Sequence, residues 1–140
     1  MRYPAEFFPH PDDEWVVSFP GLDGALTGAT SMAQAELEAS DCLGSWLAQA
    51  IADRREIPPP AQITDGQRLV SVPLWIAPKL ALYQTMRRSS ITNTELARRL
   101  GVRETVVRRM LDPDHATRLA NIERALLAAG AQLYLALDAA

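Results

Sequence analysis

TNTELARRLGVRETVVRRML, residues 92–111, is the stretch that decides the fold of the second half of this 140-residue chain. Apolar residues recur at helical spacing on both sides of Gly101, which stands where a chain leaving a helix needs a residue tolerant of positive φ. Thr92, with Glu95 three positions later, has the spacing of a capping box. Val102 is expected beneath the turn. The pattern predicts a helix-turn-helix whose apolar stripe consists of Leu96, Ala97, Leu100, Val106, Val107, Met110 and Leu111.

The polar positions of the second helix favour binding to DNA. They are Arg103, Glu104, Thr105, Arg108 and Arg109. Three of the five are arginine, the side chain best suited to phosphates and to guanine edges, so the composition is more than that of a solvated face. A plain helical hairpin, which also has apolar stripes and a glycine turn, is the alternative.

In a helix-turn-helix, the second helix lies in the major groove with its N-terminal residues at the base edges. Glu104, Thr105 and Arg109 are expected to face bases, as an acceptor from cytosine, a contact to a thymine methyl and a bidentate partner of guanine respectively. No Ser, Thr, Asn or Asp stands at Val102 or Arg103 to cap this helix, so a DNA phosphate is expected to satisfy its first N–H groups. The predicted DNA-binding set is completed by Asn93, Thr94, Arg103, Arg108 and Arg118. Asn93 and the three arginines of this group are expected to contact phosphates.

The two halves of the chain carry opposite charge. Residues 1–65 hold three basic and eleven acidic side chains, a net charge of −8, whereas residues 66–140 hold eleven basic and six acidic side chains, a net charge of +5. This asymmetry indicates two domains with two kinds of partner, a basic protein for the acidic half and DNA for the basic half. We therefore expect a first domain at residues 1–75 and a DNA-binding and dimerisation domain at residues 76–140.

The first domain has the pattern of a small sheet with one long helix. Strands are predicted by alternation over Tyr3–Phe8, Trp15–Phe19 and Leu26–Ala29. A further strand is predicted over Arg68–Pro73, which either completes the first domain or pairs between chains. Ser31 is the expected N-cap of a helix that ends near Glu56, before the stiff run Pro58–Pro60.

The second domain is predicted to be helical around the motif. Pro78 suits the first turn of a helix that runs through Arg88, and Thr117 is the expected cap of a last helix ended by Gly130. Residues 132–137 then have the pattern of a strand that has no obvious partner within a helical module. Pairing with the same strand of a second subunit predicts a homodimer, with a tetramer left open.

The sequence as a whole resembles the HicB family of antitoxins, in its helix-turn-helix version. The segments that carry the resemblance are Tyr3–Ala5, Asp13–Leu22, Thr27–Thr30, Ile57–Pro60, Glu95–Val102 and Leu111–Pro113. The resemblance implies an α+β fold: a partial ribonuclease-H-like β-β-β-α-β domain without a working active site, followed by a helical helix-turn-helix domain with a C-terminal strand. It also implies two partners, a small basic HicA toxin that cleaves RNA and the double-stranded operator of the operon encoding both proteins.

The chain departs from the family pattern in the region expected to face the toxin. Glu14 stands where a small residue is usual, Gln34 stands near the place of a frequent acidic residue, and the loop of residues 23–26 differs. Exact toxin contacts are therefore not carried over. The acidic residues Asp12, Asp13, Glu14 and Asp23 are the predicted toxin-binding rim, because acidic patches steer the encounter with a basic partner.

An enzymatic role is not expected. Two-metal phosphodiester chemistry needs several carboxylates that converge, whereas the acidic residues here lie in a turn or on the polar side of the long helix, and neither histidine has a partner at catalytic spacing. Cys42 is alone, so neither a disulfide nor a cysteine metal site is expected, and no cofactor is predicted. No signal peptide or membrane-length run is seen, which favours a cytoplasmic protein. The alternative function is a stand-alone repressor whose first domain senses a small ligand.

Overall fold

The computed structural model describes residues 1–139. They divide into a sheet unit, residues 1–77, and a helical unit that starts at Pro78. The sheet unit contains β1 (Arg2–His10), β2 (Glu14–Ser18), β3 (Leu26–Ala29), α1 (Met32–Ala52) and β4 (Arg68–Ser71). The helical elements are α2 (Ala77–Arg88), α3 (Asn93–Leu100), α4 (Glu104–Leu111) and α5 (Leu119–Ala128). The predicted α+β class and the order β-β-β-α-β are confirmed. The ribonuclease-H-like assignment and the functions given to residues 1–75 and 76–140 stay predictions.

The four strands form one antiparallel sheet in the order β3-β2-β1-β4. The two halves of β1 pair with different strands: Arg2–Ala5 pair with β4, and Glu6–His10 pair with β2. Phe7 lies opposite Val17, and alternation along the strands places both on one side of the sheet, the core face, towards α1. The buried residues of this face are Tyr3, Ala5, Val17, Ala29 and Val70.

Helix α1 begins as predicted and ends earlier than predicted. The Ser31 hydroxyl accepts a hydrogen bond from the Gln34 N–H at 3.2 Å, which is the expected N-cap. The helix ends at Ala52 because Arg54 adopts a φ of +55°, and the N–H of Arg55 then bonds back to the Ala50 carbonyl. This ending resembles a Schellman motif without glycine. The helix face towards the sheet is formed by Ala35, Ala39, Leu43, Leu47 and Ala50.

The helical unit is built around one apolar core. Pro78 lies in the first turn of α2, as predicted. Residues from all four helices contribute to the core: Leu82, Met86, Leu96, Ala97, Val107, Met110, Ile122, Ala125 and Leu126. Each short helix is too weak to be stable alone, so this shared burial is what fixes their arrangement.

Two expectations about the helical unit are wrong in detail, and a third stays a prediction. Thr117 does not cap the last helix: α5 begins one residue later with Arg118 as N-cap, because the Thr117 hydroxyl accepts from Lys79 Nζ instead. Val102 is 38% exposed and does not pack beneath the turn. Residues 131–139, where the C-terminal strand is predicted, have no regular secondary structure in the single chain. A strand needs a neighbour for its N–H and C=O groups, and the described chain offers none there. Pairing across two subunits stays a prediction.

Candidate functional site

The helix-turn-helix predicted from residues 92–111 is formed by α3 and α4. The Thr92 hydroxyl accepts from the Glu95 N–H at 3.1 Å and caps α3. Gly101 adopts a φ of +68°, and the Val102 N–H bonds to the Ala97 carbonyl at 3.0 Å, which closes the turn. A Cβ at residue 101 would be strained in this left-handed conformation, so glycine is what lets α4 start three residues later, at Glu104.

Burial divides α4 into two sides. Val107 and Met110 are buried in the core, whereas Arg103, Thr105, Arg108 and Arg109 are exposed. Arg103, the N-cap, makes no side-chain capping bond. The first N–H groups of α4 are therefore available to an external acceptor, as the sequence predicted.

The C-terminal end of α4 is held by a buried cation that sequence reasoning missed. Lys79 of α2 is only 4% exposed, and its Nζ donates to the carbonyl oxygens of Arg109, Met110 and Asp112 and to the Thr117 hydroxyl at 2.8–3.2 Å. Burial lowers the pKa of this lysine, while the nearby Asp112 opposes that shift. A positive charge at a helix C-terminus is favourable, so Lys79 fixes α4 against α2. The available signal was its place in the apolar stripe of α2, three residues before Leu82.

The predicted DNA-binding residues differ in whether their side chains already bind other residues of the protein. Glu104 Oε2 accepts from Arg108 at 2.6 Å, and Glu104 Oε1 accepts from Asn93 at 3.4 Å, so three of them bind one another. Within residues 1–139, the side chains of Arg103, Arg109 and Arg118 form no hydrogen bond or ion pair. Thr94 and Thr105 are exposed. The cations best placed to contact a polyanion are thus Arg103, Arg109 and Arg118.

The charged residues of α3 bind one another instead. Glu95 accepts from Arg98 at 2.7 Å and from Arg99 at 3.0 Å. The hydrogen bonds from Arg98 and Arg99 hold the pKa of Glu95 down at about 2. Arg99 also donates to the Ala128 carbonyl at 3.0 Å, which ties α3 to α5. Arg99 therefore helps to pack the unit, while one carboxylate is shared by two arginines and α3 keeps a net charge of +1.

In the sheet unit, the structure separates the four residues of the predicted toxin-binding rim. Asp12 and Asp13 form the turn between β1 and β2, with φ of +79° and +60°, and Glu14 begins β2. Asp23 lies in the loop after β2, hence at the opposite end of that strand. Its backbone carbonyl accepts from Trp46 Nε1 at 2.9 Å. The acidic turn, residues 12–14, is therefore one feature and Asp23 another.

Beside the acidic turn lies an apolar surface that sequence reasoning missed. The face of the sheet opposite the core face, the outer face, carries exposed apolar side chains: Phe8 is 49% exposed, Leu26 63% and Leu69 49%. Phe8 lies directly opposite Val16, next to the pair of His10 and Glu14. The sequence signal was Phe8 itself, an apolar residue at a strand position that alternation assigns to the face opposite the core. Exposed apolar patches of this kind mark interaction surfaces.

Among residues 1–139, no group of three or more His, Cys, Asp or Glu side chains lies close enough to hold a metal ion. Cys42 is half-buried, and its pKa is raised by burial and by Glu38. No helix within these residues is long and apolar enough to cross a membrane.

Comparison with known proteins finds a matching family model and several similar proteins. A family model described as the HicB-like antitoxin of bacterial toxin–antitoxin systems matches residues 2–81. Antitoxin HicB 2 of Photorhabdus laumondii is 40% identical over 135 residues, covering 96% of this chain and 95% of that protein. The chain belongs to the HicB family of antitoxins. Antitoxin HicB of Escherichia coli K12 is 33% identical over 135 residues, covering 96% of this chain and 98% of that protein.

Membership of the HicB family identifies the chain as an antitoxin of a toxin–antitoxin system. The family model spans the sheet unit and only the beginning of α2. The similar HicB antitoxins extend through the helix-turn-helix as well, because the alignments cover nearly the whole chain. Both units therefore belong to the family architecture.

Proposed function

We propose that this HicB-family antitoxin neutralises a basic HicA ribonuclease toxin with its sheet unit and represses its own operon by binding operator DNA with its helical unit. The observation that carries the DNA-binding half is the set of three exposed arginines on and after α4 that have no partner among residues 1–139: Arg103, Arg109 and Arg118. Without DNA, water solvates an exposed guanidinium, so its lack of a partner does not destabilise the protein. The same group can then bind a phosphate or a guanine edge.

The groove-binding geometry follows from the burial of α4. The core residues of α4 fix one side of the helix, and its N-terminal end projects Arg103 and Thr105 to solvent. Arg109 lies four residues after Thr105, about one turn further along the same helix. We infer base contacts for Thr105 and Arg109 and a phosphate contact for Arg103. Glu104 can read a base only after its bonds to Arg108 and Asn93 are exchanged.

The toxin-binding half is supported by the outer face together with the acidic turn. Phe8 and Val16 supply an apolar centre, and Asp12, Asp13 and Glu14 lie at the same end of the β1–β2 hairpin. A toxin that binds RNA must carry a basic surface, which complements this acidic border. An apolar centre with a polar rim is the usual anatomy of a protein interface. Asp23 lies at the far end of β2 and would mark the other border.

The deciding experiment looks for a short basic reading frame next to the gene and reconstitutes the antitoxin with its product. We expect the two proteins to copurify, the antitoxin to stop RNA cleavage by the toxin, and the antitoxin to bind its promoter DNA more tightly than random DNA of equal length. Asp12→Lys/Asp13→Lys/Glu14→Lys should weaken only the toxin interaction, and Arg103→Ala/Arg109→Ala only the DNA interaction.

The two halves of the proposal fail separately. Promoter binding without any copurifying basic protein would favour the alternative of a stand-alone repressor. Toxin neutralisation with no preference for promoter DNA would remove autorepression and keep the antitoxin activity. Identical behaviour of the two charge variants in both assays would contradict the division of labour between the units.

A further inference from the structure

The helical unit contains an open pocket between the C-terminal half of α4 and the start of α5. Its volume is about 290 Å³, close to the lower end of the roughly 300–1,000 Å³ typical of ligand pockets. Met110 contributes to its apolar floor. The polar side chains that line it are Arg109, His115, Thr117, Arg118 and Asn121. We call it the α4–α5 pocket.

The pocket is lined by two arginines, Arg109 and Arg118, that no residue of the described part of the chain neutralises. The guanidinium groups of Arg109 and Arg118 form no ion pair or hydrogen bond with any of the residues 1–139. No carboxylate is among the residues that line the pocket in this described part of the chain. Asp112, in the adjoining loop, accepts the N–H of Asp114 at 2.9 Å. Arg108 is paired with Glu104, whereas the two arginines of the pocket are not. This difference favours an anionic ligand from outside the chain.

The wall of the pocket is fixed before any ligand arrives. Thr117 accepts from the buried Lys79 Nζ at 3.1 Å, and the same Nζ holds the backbone carbonyls of Arg109 and Met110. The His115 ring nitrogen Nδ1 lies 3.3 Å from the Thr117 hydroxyl. A pocket whose frame is held in this way loses little entropy when it binds a ligand.

Hydrogen-bond donors of α5 add to the positive charge. No side chain caps the N-terminus of α5, so its first N–H groups and the positive end of the helix dipole lie beside Arg118. Asn121 Oδ1 accepts from Arg124 at 2.6 Å, which leaves the amide hydrogens of Asn121 to donate. A guanidinium fork can bind either a carboxylate or a phosphate in a bidentate manner. Two forks and further N–H donors together favour a phosphate, because it offers more acceptor oxygens than the two of a carboxylate.

We propose that the α4–α5 pocket is a binding site for a phosphate group. The phosphate comes either from the backbone of bound DNA or from a free phosphorylated ligand, and the chemistry of recognition is the same for both. The DNA source rests on the proposed operator binding and deepens it, whereas the free-ligand source is independent of it.

The first arm of the test uses the full-length protein and inorganic phosphate, with adenosine monophosphate as a larger probe and acetate at equal ionic strength as the reference. In two-dimensional NMR spectra, phosphate should shift the backbone amides of residues 118–121 and the Nε–H signals of Arg109 and Arg118. Arg118→Gln should abolish these shifts, and Arg118→Lys should restore them in part. Arg88→Gln should keep them, because Arg88 is exposed and lies outside the pocket.

The second arm measures promoter DNA affinity against salt concentration. Loss of one phosphate contact lowers the slope of log K against log salt by about 1. A lower slope in Arg118→Gln, with Arg88→Gln unchanged, assigns the pocket to DNA whether or not free phosphate shifts it. Phosphate shifts with an unchanged slope, or in a protein that binds no DNA, assign it to a free phosphorylated ligand. Shifts no larger than those caused by acetate, together with an unchanged slope, overturn the proposal.

Discussion

Lys79 Nζ donates to the backbone carbonyl oxygen of Asp112 at 2.8 Å, at the C-terminal end of α4. Replacement by methionine keeps the aliphatic stem and removes the charge and the donors. The carbonyl oxygens of Arg109, Met110 and Asp112 then lose their buried partner. We expect Lys79→Met to lower the free energy of unfolding of the helical unit by about 1–3 kcal/mol.

The measurement is urea unfolding of the full-length protein. Far-UV circular dichroism follows the helices, while tryptophan fluorescence reports the sheet unit, because Trp15, Trp46 and Trp75 all lie there. Arg88→Met on the same helix is the control and should unfold like the parent protein. The lowered pKa of Lys79 also means that the folded chain binds this proton less tightly, so stability should rise with pH below the usual lysine value of 10.5. An unshifted midpoint in Lys79→Met, with the same alkaline profile, would contradict the role of Lys79.

Acid should weaken α3 through Glu95. The hydrogen bonds from Arg98 and Arg99 hold the pKa of Glu95 at about 2, below the ordinary 4.5. A depressed carboxyl pKa contributes stability that is fully present above pH 4.5 and is lost as the pH falls towards 2. In Glu95→Gln we expect a flatter dependence of unfolding free energy on pH across this window. Glu123→Gln, which removes an exposed carboxylate on α5, should keep the parent slope; equal slopes in all three proteins would exclude Glu95 as the source.

How far the sequence predicts this molecule depends on whether a feature is local. The Ser31 cap, the Thr92 cap and the turn at Gly101 were predictable because each depends on residues within one turn of a helix. The end of α1 was not, since Arg54 takes a left-handed conformation that the sequence rule assigns to glycine.

The candidate sites depend on distant pairs, which sequence spacing does not reveal. Lys79 meets Thr117 across 38 positions of the sequence, and that contact displaced the predicted cap of α5. Arg109 and Arg118 were assigned to a base and to a phosphate, and only the fold brings both to one pocket. The acidic turn was visible as a run, but its separation from Asp23 follows from strand direction.

Arg109 is expected to contribute to base recognition as well as to positive charge. Arg109→Ala should weaken binding to promoter DNA by about 1–3 kcal/mol and relax the preference for one base pair. Arg108→Ala is the matched control on the next residue. The Arg108 guanidinium already donates to the Glu104 carboxylate at 2.6 Å. Arg108→Ala should therefore reduce DNA affinity less than Arg109→Ala does. Fluorescence anisotropy on promoter and random duplexes measures both. If Arg109→Ala loses the same affinity on both duplexes, Arg109 contacts only phosphate.

The two features of the proposed toxin surface should affect different rate constants. Phe8→Ser removes the apolar centre of the outer face and should speed dissociation, with a loss of affinity of at least tenfold, or ~1.4 kcal/mol. Asp12→Lys/Asp13→Lys/Glu14→Lys should instead slow association at low salt, because steering depends on charge. Leu37→Ser on α1, 72% exposed, is the control for loss of an exposed apolar side chain. Stopped-flow mixing with the toxin separates the rates, and an unchanged association rate at low salt would exclude the acidic turn.

The C-terminal segment should hold two copies of the chain together. Tyr134, Leu135 and Leu137 are 72–97% exposed in the single chain, whereas Leu133 packs against the helical core. Strand pairing between two copies would bury these side chains and satisfy the backbone groups at once. Leu135→Asp/Leu137→Asp should therefore be a monomer in sedimentation equilibrium at micromolar concentration, and it should bind promoter DNA more weakly because two recognition helices about 34 Å apart are no longer linked. Leu37→Asp should remain dimeric, and a parent protein that is already monomeric would refute this assembly.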